Sequence, residues 1–432
     1  MTARIAMVAG EASGDLLASH LIQALKARVP SLRSEGIGGP KMVGKGFNAW
    51  WPCDRLAVHG YVDALKRYRE LSAMRKALLK RLLADPPDVF IGVDAPDFNL
   101  WLEQRLRAKG IPTVHFVSPS IWAWRGGRIK RIRTAVDRML CLFPFEMPIY
   151  AKAGVPATYV GHPMADVYPL EPDEALARER LHLPDDVPVF ALLPGSRESE
   201  VRNLAPLFIR TARLLCEQFP TARFVVPLAT RETRQLFEHA MYAEDARDLP
   251  IQPLFGHAVD AMTAADVVLV ASGTASLEAA LLKRPMVISY RMGAWQYRLM
   301  KRMAYLPWVG LPNILCNETV VPELLQDDAT PEALAAALAH WLTDGDARRA
   351  LQARFAQLHH ALRQNTAAKA AEVLCPYLEK NVRAAWAGVR VRGGRSGPRP
   401  PVRAGGGGRG RARSGAADPR PHRFQETQRK EA

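Results

Sequence analysis

Short runs that are apolar on both faces recur along the first 165 residues, each followed by an amphipathic stretch. Ile5–Ala9, Asp88–Val93, Thr113–Val117 and Met139–Phe143 are such runs. A strand without a polar face is buried on both sides, as in a parallel sheet covered by helices. Leu16–Ala27 carries the helical period. From about Val189 the pattern restarts, with Val189–Leu193, Arg223–Pro227, Ile251–Leu254, Asp266–Ala271 and Met286–Ser289 as strands and helical segments between them. This alternation predicts parallel sheets with right-handed crossovers. Two complete sets predict an α/β chain of two Rossmann-like domains, over 1–165 and 166–345, with an interdomain cleft. The joint falls near the proline- and acid-rich Pro163–Pro172. From Pro331 to Lys380 the chain is Ala/Leu-rich and helical, so that 346–380 form C-terminal helices.

Composition sharpens this picture in three places. At 432 residues and 48% hydrophobic, the chain has ample material for two or three cores. No apolar run reaches the length of a membrane-spanning helix. The opening Ile5–Gly10 run is too short for a signal peptide and leads into an acidic loop. The five cysteines are scattered, which predicts free thiols in a reducing compartment. Of the net charge of +16, residues 381–432 contribute +10, within a segment of 10 Gly and 5 Pro. Such a segment cannot bury enough apolar surface to offset its ordering entropy, so a disordered Arg/Gly/Pro-rich tail is expected. Arg-Gly repeats can bind RNA, and an unselected extension is the alternative. No nucleic-acid partner is expected.

Candidate chemistry sits where strands end. Gly10-Glu11-Ala12-Ser13-Gly14-Asp15 follows the first strand. It lacks G-x-G-x-x-G and the Walker lysine, and its carboxylates would repel phosphate, so it suits a hydroxyl-bearing ligand or is a tight turn capped by Ser13 or Asp15. Asp94-Ala95-Pro96-Asp97-Phe98-Asn99 ends the strand Val89–Val93. Asp94 is favoured as a general base, with Asp97 better suited to capping the next helix. Pro194-Gly195-Ser196-Arg197 follows Val189–Leu193. Gly195 permits close backbone approach, Ser196 is a donor-binding candidate beside it and Arg197 can clamp a diphosphate, the alternative being an ion pair with Glu198 or Glu200. Ser272-Gly273-Thr274-Ala275-Ser276-Leu277-Glu278 places small residues at a helix start, an anion site without a lysine. Glu278 can accept hydrogen bonds from ribose hydroxyls, or be a solvated glutamate. No metal-ligand pattern is present, and neither metal nor cofactor is expected. Two stretches mix apolar and cationic positions as an anionic lipid surface requires. One is Val62–Leu83, with Leu71 and Met74. The other is Trp295–Trp308, with Trp295, Tyr297, Met300 and Trp308. For each, an ordinary amphipathic helix packed on the core is the alternative.

These blocks together resemble the lipid-A-disaccharide synthase family, inverting glycosyltransferases of the GT-B fold. The resemblance rests on Val8–Asp15, Asp94–Asn99, Val117–Arg125, Gly161–Asp166, Leu192–Arg197, Ala271–Glu278, Tyr290–Met292 and Leu311–Asn313, in order across about Arg4 to Leu378. It implies transfer of 2,3-diacylglucosamine from UDP-2,3-diacylglucosamine to the 6-hydroxyl of 2,3-diacylglucosamine 1-phosphate, giving a β-1,6 disaccharide phosphate and UDP without a metal. It implies Asp94 as base and Glu11 in the acceptor-side loop. Arg197, Arg291, the Ser272–Glu278 loop and Asn313 lie on the UDP side. It further implies a peripheral enzyme on the cytoplasmic face of a Gram-negative inner membrane, and a last helix that crosses back to the first domain. A homodimer is left open. Family members end near the position of Leu378, so 381–432 have no counterpart. Two rivals remain: a metal-free UDP-N-acetylglucosamine 2-epimerase-like enzyme, and a membrane- or RNA-binding module acting through the basic tail.

Overall fold

The strands form because their residues are apolar on both faces and are covered on both. In the computed structural model, which describes residues 3–56, 61–123, 126–303 and 305–378, two parallel sheets account for every strand. The tail over 381–432 lies outside the described residues. The first sheet contains β1 (Arg4–Ala9), β2 (Arg33–Gly38), β3 (Asn48–Pro52), β4 (Val89–Val93), β5 (Thr113–Phe116), β6 (Arg138–Cys141) and β7 (Ala157–Tyr159). Its order is β3-β2-β1-β4-β5-β6-β7. The second contains β8 (Val189–Leu193), β9 (Arg223–Leu228), β10 (Ile251–Phe255), β11 (Val267–Ala271), β12 (Met286–Tyr290) and β13 (Glu323–Leu325), in the order β10-β9-β8-β11-β12-β13. Both orders are doubly wound, with helices on each face.

Helix Ala12–Arg28 covers one face of the first sheet through Leu17, Leu21, Ile22 and Leu25. The opposite face is covered by helices Tyr61–Ala84 and Pro96–Arg107, through Met74, Leu78, Leu82, Phe98, Leu102 and Leu106. The chain then builds the second sheet and its core before returning. Helix Gly345–Leu362 ends beside the connection between the sheets, where the Leu362 carbonyl accepts from His162 N at 2.9 Å. Asp166 caps the next turn, accepting from Asn365 N and Thr366 N at 2.8 and 2.6 Å. A final helix over 366–378 buries Ala370, Ala371, Leu374 and Leu378 in the core of the first sheet, beside Leu17 and Leu21. The last described residues thus complete the first core rather than the second.

Candidate active site

In a doubly wound sheet the crevice lies where the strand order reverses, at the carboxyl ends of the two central strands. The reversals here fall between β1 and β4 in the first sheet and between β8 and β11 in the second. The loops leaving β1 and β4 are Gly10–Asp15 and Asp94–Asn99. Those leaving β8 and β11 are Pro194–Arg197 and Ser272–Glu278. All four stretches singled out in the sequence therefore sit at the two switch points, one acidic pair and one basic or small-residue pair.

On the acidic side the two loops touch. A Cβ on Gly10 would lie 2.5 Å from Ala95 Cβ, so only glycine admits this approach. Asp94 and Ala95 both take left-handed backbone angles, φ 53° and 43°, a conformation that costs a non-glycine residue about 1 kcal/mol or more. The turn lifts Asp94 out of the sheet. Its side chain is half-buried and accepts no hydrogen bond from any described residue. The other three carboxylates differ. Asp97 is exposed and makes a two-pronged pair with Arg128 Nη2 at 2.7 and 2.8 Å, which engages both of its carboxylate oxygens. Asp15 is 2% exposed and accepts from Gly39 N, Lys41 N and Met42 N at 2.9–3.0 Å, so it caps the turn after β2 instead of its own helix. Glu11 is exposed at the start of helix Ala12–Arg28 and makes no side-chain cap.

Next to these loops, β5 runs into Val117, at φ 81°, and Ser118. The Ser118 hydroxyl lies 2.7 Å from Tyr150 Oη. Beneath it Glu146 is 1% exposed. Burial pushes its carboxyl up to about 7, against hydrogen bonds from Ser118, Trp122 and the Phe143 and Leu142 backbone that pull it down. Trp122 meets Phe145 edge-to-face, and Phe145, Phe143 and His162 stack in turn, leading from this motif to the connection between the sheets. Burial holds His162 neutral, its pKa lowered to about 4. Nothing in the sequence pattern signalled Glu146, since a glutamate after a Pro-Phe pair reads as surface. Tyr305, beyond β12, reaches this loop: its N–H donates to the Ala123 carbonyl at 3.1 Å and its hydroxyl accepts from Gly126 N at 3.3 Å. Trp124 and Arg125 lie outside the described residues.

On the basic side Gly195 has φ 115°, where a side chain would be strained and would strike Glu200. The Glu200 carboxylate accepts from Ser196 N and Arg197 N at 3.1 and 3.2 Å and pairs with Arg197 Nη1 at 3.1 Å. Of the two ion-pair partners weighed, Glu200 is the one used. The Arg197 side chain stays three-quarters exposed, with donors left over. Helix Thr274–Leu281 starts with Gly273 and Thr274 exposed, and Ser272 Oγ donates to the Val309 carbonyl at 3.2 Å. Glu278 accepts from Tyr168 Oη at 2.7 Å, and burial raises its pKa.

Several of the expected contact residues have partners inside the protein. Asn313 is fully buried, and its amide is saturated by Val320 N, Val321 N, the Val321 carbonyl and Glu323. In this arrangement its side-chain amide is used entirely within its own loop. The Arg291 guanidinium donates to the Gln326 and Ala329 carbonyls, at 3.2 and 2.5 Å, fastening β12 to the segment after β13. Met74 is 6% exposed inside the core with Leu78 and Leu82, so that face of helix Tyr61–Ala84 meets protein, not lipid. Leu71 is half-buried. Trp308 is also half-buried and donates to Thr319 Oγ1 at 2.8 Å. Trp295 is 74% exposed and Tyr297 half-buried on helix Ala294–Met303. The Met300 side chain, and those of Leu65, Lys66 and Arg67, lie outside the described residues. Among the described residues no three His, Cys, Asp or Glu side chains converge as metal ligands, and no helix is long and apolar enough to cross a membrane.

A family model described as lipid-A-disaccharide synthetase matches residues 5–374. The chain belongs to that family. A lipid-A-disaccharide synthase of Aromatoleum aromaticum is 72% identical over 381 residues, covering 88% of this chain and 97% of that protein. One from Azoarcus sp. is 69% identical over the same shares. Among solved structures, UDP-GlcNAc 2-epimerase from Neisseria meningitidis bound to UDP-GlcNAc has a TM-score of 0.59 at 11% identity, covering 87% of this chain and all of that one. The calicheamicin glycosyltransferase CalG4 has a TM-score of 0.55 at 14% identity, covering 88% and 99%. At such identities these likenesses speak for the fold alone, and that fold is GT-B. Family membership, not fold, separates this transferase from the epimerases.

Proposed function

We propose that the chain transfers 2,3-diacylglucosamine from its UDP donor to the 6-hydroxyl of 2,3-diacylglucosamine 1-phosphate, with inversion. The observation that supports the mechanism is the contrast between the switch points: an Asp94 carboxylate that accepts from no described residue at one, an exposed guanidinium and a helix start at the other. Asp94 takes the proton of the attacking hydroxyl. That oxygen bonds to the anomeric carbon as the bond to the UDP phosphate breaks. Arg197 and the first turn of helix Thr274–Leu281 stabilise the charge that develops on the departing diphosphate. Glu278, fixed by Tyr168, faces the uridine ribose. Both substrates carry acyl chains, which supports a working position at the anionic inner face of the inner membrane. Exposed Trp295 and the cations Arg298 and Arg302 on the same helix support contact there.

The test is incubation with both acylated substrates, following disaccharide phosphate and UDP. The Asp94→Asn variant is expected to lose about 10²- to 10⁴-fold in kcat with its thermal midpoint unchanged. Arg197→Ala is expected to weaken turnover of the donor in the same assay. Full turnover by Asp94→Asn would remove the base assignment. Conversion of soluble UDP-GlcNAc without any acylated acceptor would favour the epimerase-like reading.

A further inference from the structure

Helix Pro96–Arg107 carries two polar residues on the face it buries, Asn99 and Glu103, one turn apart and both 0% exposed. Polar groups at core positions violate the pattern that folds the helix, and such violations gather at functional sites. Asn99 Nδ2 uses both its hydrogens: it donates to the Asp94 carbonyl at 2.7 Å and to the Val8 carbonyl at 3.3 Å. Those carbonyls belong to the ends of β4 and β1, the two strands that flank the acidic switch point. One amide therefore ties the Asp94 turn to the end of β1 and holds its left-handed backbone. The two carbonyls also fix which end of the amide is nitrogen.

Below it, Glu103 Oε1 lies 2.7 Å from His115 Nδ1 on β5, and both side chains are fully buried. Gly92 makes room for this column. A Cβ there would fall 2.2 Å from Glu103 Oε1 and 2.9 Å from Asn99 Cβ. Three buried atoms in the column have no partner: Asn99 Oδ1, Glu103 Oε2 and His115 Nε2. A cluster of unsatisfied buried polar atoms is expensive to keep. The column packs against Gly92 of β4, directly before the Asp94 turn that Asn99 holds.

We propose that Asn99 is the positioning residue for Asp94, seated on the buried Glu103–His115 pair, and that it sets the aim of the carboxylate toward the acceptor hydroxyl. This rests on Asp94 being the base. Asn99 touches no substrate; it acts by holding the Asp94 backbone. Misplacing a reacting group by about 1 Å can cost about 10²-fold in rate.

The experiment compares Asn99→Ala and Asn99→Ser, each alone and combined with Asp94→Asn, in the two-substrate assay. Asn99→Ala is expected to lower kcat about 10²-fold with KM for the UDP donor unchanged within about twofold. The serine hydroxyl can still donate to one carbonyl, so Asn99→Ser is expected to recover part of the loss and to fold if the alanine variant does not. In the Asp94→Asn background neither substitution should lower the residual rate further, because there is no base left to aim. A loss of the same factor in both backgrounds, or a donor KM that rises while kcat holds, overturns the proposal and leaves the base assignment standing. Full turnover by Asp94→Asn alone overturns both.

Discussion

Glu146 gives the sharpest physical test of the first core. Its carboxyl is 1% exposed and titrates near pH 7, against an ordinary value of 4.5. A gap of about 2.5 pH units corresponds to about 3 kcal/mol. The sign follows from proton counting. Below pH 4.5 the group is protonated in both states and costs nothing. Between 4.5 and 7 the unfolded chain releases the proton while the folded chain keeps it, so stability falls as pH rises. Above 7 the full cost of about 3 kcal/mol is in place. Glu146→Gln removes the titration yet keeps an oxygen to accept from Phe143 N, which Glu146 Oε2 now does at 3.1 Å. Urea unfolding of both proteins at pH 5 and pH 8.5, followed by intrinsic fluorescence, reads the difference. The variant should gain on the wild type by most of that 3 kcal/mol between the two pH values. A gap between the two proteins that is the same at pH 5 and pH 8.5 would refute the buried, protonated carboxyl.

Two further outcomes separate architecture from chemistry. Asp15→Ala strands three backbone N–H groups that its carboxylate now satisfies, and should destabilise the first core by about 2–5 kcal/mol; Glu11→Gln, at an exposed position of the same motif, should leave the thermal midpoint unchanged, and an equal midpoint shift for both would refute the division. Deleting residues 381–432 should leave disaccharide formation within about twofold of the full chain, since the 72%-identical relative is matched over 97% of its own length by 88% of this chain; loss of function on deletion would favour a binding module working through the basic tail.

The legible part of the fold was the part with strong hydrophobic contrast. β1, β4, β8, β11 and β12 are five or six residues each, wholly or almost wholly buried, and their runs fall within a residue or two of the expected positions. β2, β3, β7 and β13 were not read from the sequence. β2 is Arg-Ser-Glu-Gly-Ile-Gly, and its charged Glu35 is acceptable inside because Arg4 pairs with it. β7 and β13 are three residues each with partly exposed side chains, edge strands without a pattern. The loops of the site were legible because they follow the strong strands. Their internal roles were not, because pairing is a matter of three dimensions. No spacing rule connects Asp15 to Gly39, Arg128 to Asp97, or Asn99 to Val8.

On the proposed donor side, the side chain of Arg197 is better suited to a diphosphate than the backbone of its loop. A glycine-containing turn between a strand and a helix ordinarily offers its backbone N–H groups to an anion. Here Ser196 N and Arg197 N already donate to Glu200, a carboxylate from the first turn of the same helix. That carboxylate is itself nearly buried and already occupies the two backbone donors that an anion would use. A diphosphate approaching the loop backbone meets repulsion, while the exposed guanidinium keeps N–H donors directed to solvent. The opposite loop differs: Thr274 is exposed at its helix start, and the carboxylate of that helix, Glu278, is a turn further in and accepts from Tyr168. On the proposed reading, charge therefore favours the Arg197 guanidinium and the Thr274 helix start over the backbone of the Gly195 turn as the phosphate contacts, with Glu200 pairing the arginine at 3.1 Å.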